Sequence, residues 1–275
     1  MKLKSILLTT VALGSFGMLA NHATNVKASV VYESGYIKES NKTVYVTTKK
    51  SLKTNLYRNI NGKKVRYVIP KGTNLVGSSE ADKQSDGKFT TTFNAGFYNY
   101  NYAFKSSFVN WKNISLSSQF AFKSSDFKVV KNPSSVLGTS WERGTDFKFK
   151  NGSHQMFSIT QDHYIQFYST SNVKKAGITS NFITSGLDKL KPTTSRKITS
   201  IKTSGKNVTY LYYTKPITGL TEYKVRPGLY RLKVNTQDIK RFDKTVGEND
   251  YTAIWQRAFV GGKAYNNVLE IEYGD

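Results

Sequence analysis

The sequence of 275 residues predicts an all-β or mainly β protein, built as small barrel or sandwich modules with a few short helices. Two observations favour this class. Apolar residues alternate with polar ones along several short segments, as they do in half-buried strands, and dipeptides that favour tight turns lie among them. With 38% hydrophobic residues, the chain has enough apolar side chains for a real core, so we expect a folded protein.

The predicted strands are the segments in which every second residue is apolar or aromatic. They cover 44–46, 65–69, 147–149, 165–167 and 230–234. The predicted turns are dipeptides in which glycine follows a small polar residue, at 61–62, 86–87, 151–152 and 204–205. A hairpin at 151–152 would place His154 on the face that carries Phe147 and Phe149, so we interpret His154 as a packed histidine. Helices are predicted only at 185–191 and at 236–244, where Thr236 could cap the first turn.

The first 28 residues are predicted to be a signal peptide. Lys2 and Lys4 precede an apolar run over 6–20, and small residues end the segment at Ala28, where we place cleavage. The apolar run has about 15 residues, whereas a membrane-spanning helix needs about 20. No later segment is apolar enough to span a membrane, so the mature chain is expected to be secreted.

The mature chain is predicted to divide into an N-terminal β region over 29–192 and a C-terminal β domain over 193–275. The boundary rests on the polar stretch 190–196, which contains Pro192 and lies between patterned segments.

The cysteine and histidine counts exclude several kinds of chemistry. The chain has no cysteine, which excludes disulfides, thiol nucleophiles, cysteine-based zinc sites and a lipid-modified N-terminal cysteine. Secretion without disulfides is typical of a bacterial rather than an animal protein. Only His154 and His163 lie in the mature chain. We therefore expect no catalytic residues, no metal and no cofactor. The alternative is a secreted cell-wall or glycan hydrolase that uses a pair of carboxylates, with candidates at Glu142, Asp146, Asp162, Glu248 and Asp250.

The net charge indicates an anionic partner. The formal charge is +23, and removal of Lys2, Lys4 and Lys27 with the signal peptide leaves 38 basic and 18 acidic residues. Lysines greatly outnumber arginines and are spread along the chain, which favours diffuse, salt-sensitive attraction to a polyanion. For an exported Gram-positive protein the expected partners are teichoic acids or other anionic wall glycans, and no dedicated nucleic acid partner is expected.

A tyrosine-rich segment offers a second kind of contact. On a strand, Tyr98, Tyr100 and Tyr102 would project from one face, close to Lys105. They could form one wall of a β core, as tyrosines commonly do. They could instead be exposed and stack on sugar rings while lysines hold anionic groups. Trp111 and Trp141 allow the same two interpretations, whereas Trp255 is predicted to lie in the core.

The segment 56–77 carries a resemblance. A strand, the Asn61-Gly62 turn, a second strand and the Lys71-Gly72-Thr73 turn follow in order. This arrangement resembles the small wall-binding β modules of surface-layer and surface-layer-associated proteins of lactic-acid bacteria. The specific resemblance covers about 43–77, and the module would extend over 43–112. The residues at the matching positions are Lys63, Lys64, Arg66, Tyr67 and Lys71.

The resemblance implies noncovalent attachment to wall polymers. It also implies adhesion or lattice formation at the cell surface, and a lattice would require self-association. The segment 223–234 resembles the module only distantly.

Overall fold

A computed structural model of the chain describes residues 32–33, 36–37, 43–83, 89–95, 97, 99–113, 126–131, 134–144, 154–178, 187, 189–246 and 249–273. It confirms the mainly β class, with two short helices among the described residues. The predicted signal peptide, the predicted strand at 147–149 and the predicted turns at 86–87 and 151–152 lie outside this part of the chain.

The described strands are numbered in chain order. They are β1 (Tyr32–Glu33), β2 (Tyr36–Ile37), β3 (Thr43–Thr48), β4 (Leu52–Ile60), β5 (Lys63–Ile69), β6 (Asn74–Lys83), β7 (Phe89–Ala95), β8 (Phe127–Val129), β9 (Thr139–Arg143), β10 (Met156–Ile159), β11 (Tyr164–Tyr168), β12 (Thr194–Lys197), β13 (Ser200–Ser204), β14 (Val208–Tyr213), β15 (Tyr223–Arg226), β16 (Leu229–Val246), β17 (Asn249–Val260) and β18 (Lys263–Tyr273). The two helices are α1 (Tyr102–Lys105) and α2 (Thr170–Lys175).

The N-terminal part has a core of its own. A four-stranded sheet has the order β7-β6-β3-β8, and β4 pairs with β5 as a separate hairpin. Their buried apolar residues form one cluster with aromatic side chains from around α1. Its members are Val46, Leu52, Leu56, Ile69, Leu75, Phe97, Tyr100, Phe108 and Phe127. The short strands β1 and β2 pair with each other in a separate two-stranded sheet.

The larger unit is a ten-stranded sheet that curls into a half-barrel. Its strand order is β12-β11-β10-β9-β18-β17-β16-β14-β13, with β15 paired to β16, and all of these pairs are antiparallel. Inward-facing residues from both ends of this strand order share one core. They include Trp141 of β9, Phe157 of β10, Leu211 of β14 and Tyr265 of β18. Strands from both sides of the predicted boundary at residues 192 and 193 lie in this sheet, so the sheet does not divide there.

The helix predicted at 236–244 is wrong. These residues belong to β16, where Ile239 to Lys244 pair with Gln256 to Tyr251 of β17. The register shifts between Thr236 and Ile239, and Gln237 and Asp238 lie at this irregularity. Of the helix predicted at 185–191, residues 185, 186 and 188 lie outside the described residues, and 189–191 are not helical.

Two of the predicted turns are confirmed. Asn61 and Gly62 have φ of 51° and 77° and join β4 to β5. Gly205, with φ of 63°, lies in the turn between β13 and β14.

Candidate polyanion-binding surface

The hairpin β4–β5 brings an aromatic and two basic side chains onto one face. Its two-residue turn sets Ile60 opposite Lys63 and Tyr57 opposite Arg66. Because successive side chains of a strand point to opposite faces, Tyr57, Lys64 and Arg66 share one face. We call these three residues the hairpin site.

The three side chains of the hairpin site are in contact. Arg66 donates to the Tyr57 hydroxyl oxygen from Nη2 at 3.0 Å and from Nε at 3.4 Å. The Lys64 ammonium lies 4.6 Å from the centre of the Tyr57 ring. The hydrogen bond from Arg66, followed by its positive charge, lowers the pKa of the Tyr57 hydroxyl below its ordinary value of 10.0. Tyr57 thus orients the guanidinium while the ammonium stays at the surface.

The surrounding segment carries cations without carboxylates. Between residues 43 and 77 there is no aspartate or glutamate. The basic residues of the segment are Lys49, Lys50, Lys53, Arg58, Lys63, Lys64, Arg66 and Lys71. Among described side chains, Lys50 forms an ion pair with Asp126 at 2.8 Å, and none of the described ion pairs involves Lys64 or Arg66. The hairpin therefore has a positive field that is available to an anion.

Arg58 lies on the opposite face of the hairpin, where its side chain packs against aromatic rings. Its guanidinium carbon lies 4.4 Å from the ring centre of Tyr67, 4.9 Å from that of Phe104 and 4.7 Å from that of Phe108. The backbones of Arg58 and Phe108 also form a β-bridge. Arg58 therefore attaches the hairpin to the segment around α1 by cation–π contacts.

The predicted hairpin residues do not all come together. Lys64 and Arg66 form the hairpin site with Tyr57, but the exposed Lys63 projects from the opposite face. Tyr67 is half-buried against the N-terminal core, and burial raises the pKa of its hydroxyl despite the charge of Arg58. Lys71 is exposed in the turn after β5.

The tyrosine row predicted at 98–102 requires correction. Tyr100 is only 6% exposed and donates its hydroxyl to the Asn74 carbonyl at 2.7 Å. Tyr102 starts α1 and is half-buried, and its ring meets that of Trp111 edge-on at 5.3 Å. Lys105 is buried as well. Tyr98 lies outside the described residues. The chain turns and starts a helix here instead of continuing as a strand, so these residues do not form an exposed row.

The other two tryptophans lie in the core. Trp141 is fully buried in the large sheet, so its core interpretation is confirmed. Trp255 was predicted to be core and is buried beside Ala253.

Two of the candidate carboxylates, the buried Glu142 and the half-buried Asp162, have protein partners. Asp162, in the turn between β10 and β11, accepts hydrogen bonds from the backbone N–H of Asn101 at 2.9 Å and from the Asn101 side-chain amide. Glu142 lies 3.2 Å from Nδ1 of His154. Burial raises the pKa of both carboxyl groups above their ordinary values.

The side chains of the other three candidate carboxylates are not described. Asp146 and Glu248 are outside the described residues, and only the backbone of Asp250 is described. The side chain of His154 is 56% exposed, so its interpretation as a packed histidine is wrong. The described part of the chain contains no group of three or more histidine, aspartate or glutamate side chains that could hold a metal ion.

A small cavity lies where the N-terminal part meets the large sheet. It is lined by residues that include Lys105, Ser158 and Tyr168, and its volume is about 20 Å³. That is room for a water molecule, not for a sugar ring.

Removing the Asp162 carboxylate is expected to loosen this junction. In Asp162→Ala, the backbone N–H and side-chain amide of Asn101 lose their acceptors in a buried place, which should lower the free energy of unfolding by about 1–3 kcal/mol. Asp243→Ala is the matched control, because Asp243 also accepts hydrogen bonds, from Arg241 and Thr252, but at the exposed surface. Denaturant unfolding should give a clearly larger loss for Asp162→Ala; equal losses would contradict a structural role for Asp162.

No family model, no curated protein and no solved structure matches this chain. Among the described helices, none has the length and hydrophobicity needed to span a membrane.

Proposed function

We propose that this protein is an exported cell-surface protein that binds the anionic polymers of a Gram-positive cell wall noncovalently. Teichoic acids are the expected ligands, and the protein is surface-layer-associated or adhesive. The observation that carries this proposal is the hairpin site, in which Lys64 and Arg66 flank Tyr57 in a segment that has no carboxylate between residues 43 and 77.

The chemistry of the hairpin site suits a polymer with repeated phosphate groups. The lysine ammonium is a mobile point charge that adapts to successive phosphates, and the guanidinium adds a planar donor set. Two of the guanidinium donor atoms are engaged by Tyr57, which holds the group in place and leaves Nη1 for an anion. Such contacts are exposed and are therefore screened by salt.

The net charge of the whole mature chain supports the same partner. The mature chain has 38 basic residues and only 18 acidic ones. A net positive field of this kind raises the rate of encounter with a polyanion. A cleaved signal peptide would put this charge outside the cell.

The test measures binding of the processed protein to purified cell walls across a salt series. Lys64→Gln with Arg66→Gln should weaken binding about tenfold at low salt, as two lost charge contacts near the upper end of ~0.2–1 kcal/mol each would give. The matched control is Lys174→Gln with Lys175→Gln, which removes the same charge from exposed positions at the end of α2. The control should lose at most twofold, because its lysines lie outside the hairpin.

Binding should also fall steeply with salt and after teichoic acid is stripped from the walls. Binding that persists unchanged at high salt and on stripped walls would overturn the proposal. Release of reducing sugars from the same walls would instead support the carboxylate hydrolase alternative.

A further inference from the structure

We propose that the outer face of β13, β14, β16 and β15 is a second ligand surface, and that it binds an anionic polysaccharide. Its tyrosines would stack on sugar rings and its cations would hold the acidic groups. We call it the tyrosine–cation face. Its residues are Lys202, Tyr210, Tyr212, Tyr223, Arg231 and Lys233. This proposal goes beyond phosphate binding by the hairpin site and does not depend on it.

The strand register builds this face as two rows. In one row, Tyr212 of β14 and Tyr223 of β15 lie on either side of Arg231 of β16. In the other, Lys202 and Lys233 lie on either side of Tyr210. The residues between them along each strand point inward, so that Leu211 and Leu232 are buried in the core of the large sheet. Each row therefore alternates aromatic and basic side chains.

The side chains within the face touch one another. The guanidinium carbon of Arg231 lies 4.9 Å from the ring centres of both Tyr210 and Tyr223. The Lys202 ammonium lies 5.7 Å from the ring centre of Tyr212. Nevertheless Tyr223 is 60% exposed, so Arg231 leaves much of its ring to solvent. The face thus presents ordered aromatic rings at the surface.

The local carboxylate is turned away from this face. Glu222 is the only acidic residue between 189 and 237. Its Oε2 accepts hydrogen bonds from the buried Tyr213 hydroxyl at 2.5 Å and from the backbone N–H of Ile217 at 3.1 Å. The positive charges of the face therefore have no described carboxylate partner, and they complement an anionic ligand.

The alternation identifies the kind of anion. Tyr212 and Tyr223 are two interstrand spacings apart, about 10 Å, with a cation between them. A polysaccharide in which neutral and acidic sugars alternate offers rings and charges in the same order, and the C–H groups of a sugar ring pack well on an aromatic face. A single-stranded nucleic acid carries a charge on every nucleotide and binds by stacking successive bases on aromatic rings. Tyr212 and Tyr223 are too far apart to stack successive bases.

The test uses the processed protein and two defined polymers. One is a hyaluronan oligosaccharide, in which acidic and neutral sugars alternate; the other is unsubstituted poly(glycerol phosphate), which has charges but no sugar rings. Tyr223→Ala with Lys233→Gln should weaken binding to the oligosaccharide at least tenfold and leave binding to poly(glycerol phosphate) within twofold. Lys64→Gln with Arg66→Gln should do the reverse. A second variant, Lys202→Gln with Lys233→Gln, changes only exposed side chains and guards against an effect of misfolding.

The outcomes separate this proposal from that for the hairpin. The tyrosine–cation face is overturned if the wild-type protein does not bind the oligosaccharide, or if both face variants bind it like wild type. It is also overturned if a single-stranded oligonucleotide binds this face more tightly than the oligosaccharide does. Failure of the hairpin proposal would appear instead as unchanged binding of poly(glycerol phosphate) by Lys64→Gln with Arg66→Gln.

Discussion

Replacing Gly261 with alanine is expected to lower the free energy of unfolding by about 2–5 kcal/mol. Gly261 lies in the turn between β17 and β18 with φ of 56°, a left-handed conformation that costs other residues roughly 1–2 kcal/mol. A Cβ atom there would also overlap the carbonyl oxygen and the Cβ of Thr221, and such overpacking typically costs about 1–3 kcal/mol. Thermal or denaturant unfolding of the purified variant measures the loss.

Gly262→Ala is the matched control for this prediction. Gly262 has φ of 79° in the same turn, but a Cβ atom there would meet nothing within 4 Å. It should therefore lose only the conformational cost, about 1–2 kcal/mol. Because Thr221 lies two residues before Tyr223, Gly261→Ala should also weaken binding of the hyaluronan oligosaccharide. If the two glycine variants are equally stable, the contact with Thr221 does not constrain the turn.

Replacing Trp141 with alanine is expected to cost about 3–5 kcal/mol of folding free energy. The indole is fully buried in the large sheet and stacks on Phe157, with ring centres 6.4 Å apart and planes 15° apart. Its Nε1 donates to Oγ1 of Thr139 at 2.6 Å. The substitution thus leaves a large cavity and removes a buried hydrogen bond. The midpoint and slope of urea unfolding give the measurement.

Trp111→Ala provides the comparison for the Trp141 prediction. Trp111 is half-buried and packs at the edge of the N-terminal core. Because solvent can fill the space that its side chain leaves, its loss should cost clearly less than that of Trp141. A Trp141 variant that loses no more than the Trp111 variant would show that the sheet repacks around the missing ring.

Local patterns in the sequence predict part of the fold well. The Asn61-Gly62 dipeptide and the alternation over 65–69 predict a turn and a strand that the structure confirms. The same kind of reasoning fails at 236–244, where Thr236 as a suitable cap favours a helix although the helical periodicity is weak. This segment is a strand because Ile239 to Lys244 pair with β17. Pairing with the next strand decides the conformation there, and the propensity of the segment alone does not reveal it.

The candidate surfaces divide in the same way. The resemblance of the segment 43–77 to wall-binding modules implies Lys64 and Arg66 as binding residues, and the two-residue turn places Tyr57 opposite Arg66. The tyrosine–cation face is assembled from four strands, so no single segment contains its pattern. Tyrosine alternates with asparagine over 98–102, which favours a strand with one tyrosine face. The side-chain amide oxygen of Asn101 instead accepts from the Phe104 backbone N–H and starts a helix.

The position of Arg58 has a consequence for the proposed binding of a polyanion to the hairpin. Its guanidinium is held among three aromatic rings, so the hairpin is fixed against the rest of the N-terminal part before any ligand arrives. A ligand that contacts Lys64 and Arg66 then has little backbone freedom to remove, and less of the interaction free energy is lost to ordering. If the hairpin binds a polyanion as proposed, a cation that faces away from the ligand contributes to its affinity through preorganisation.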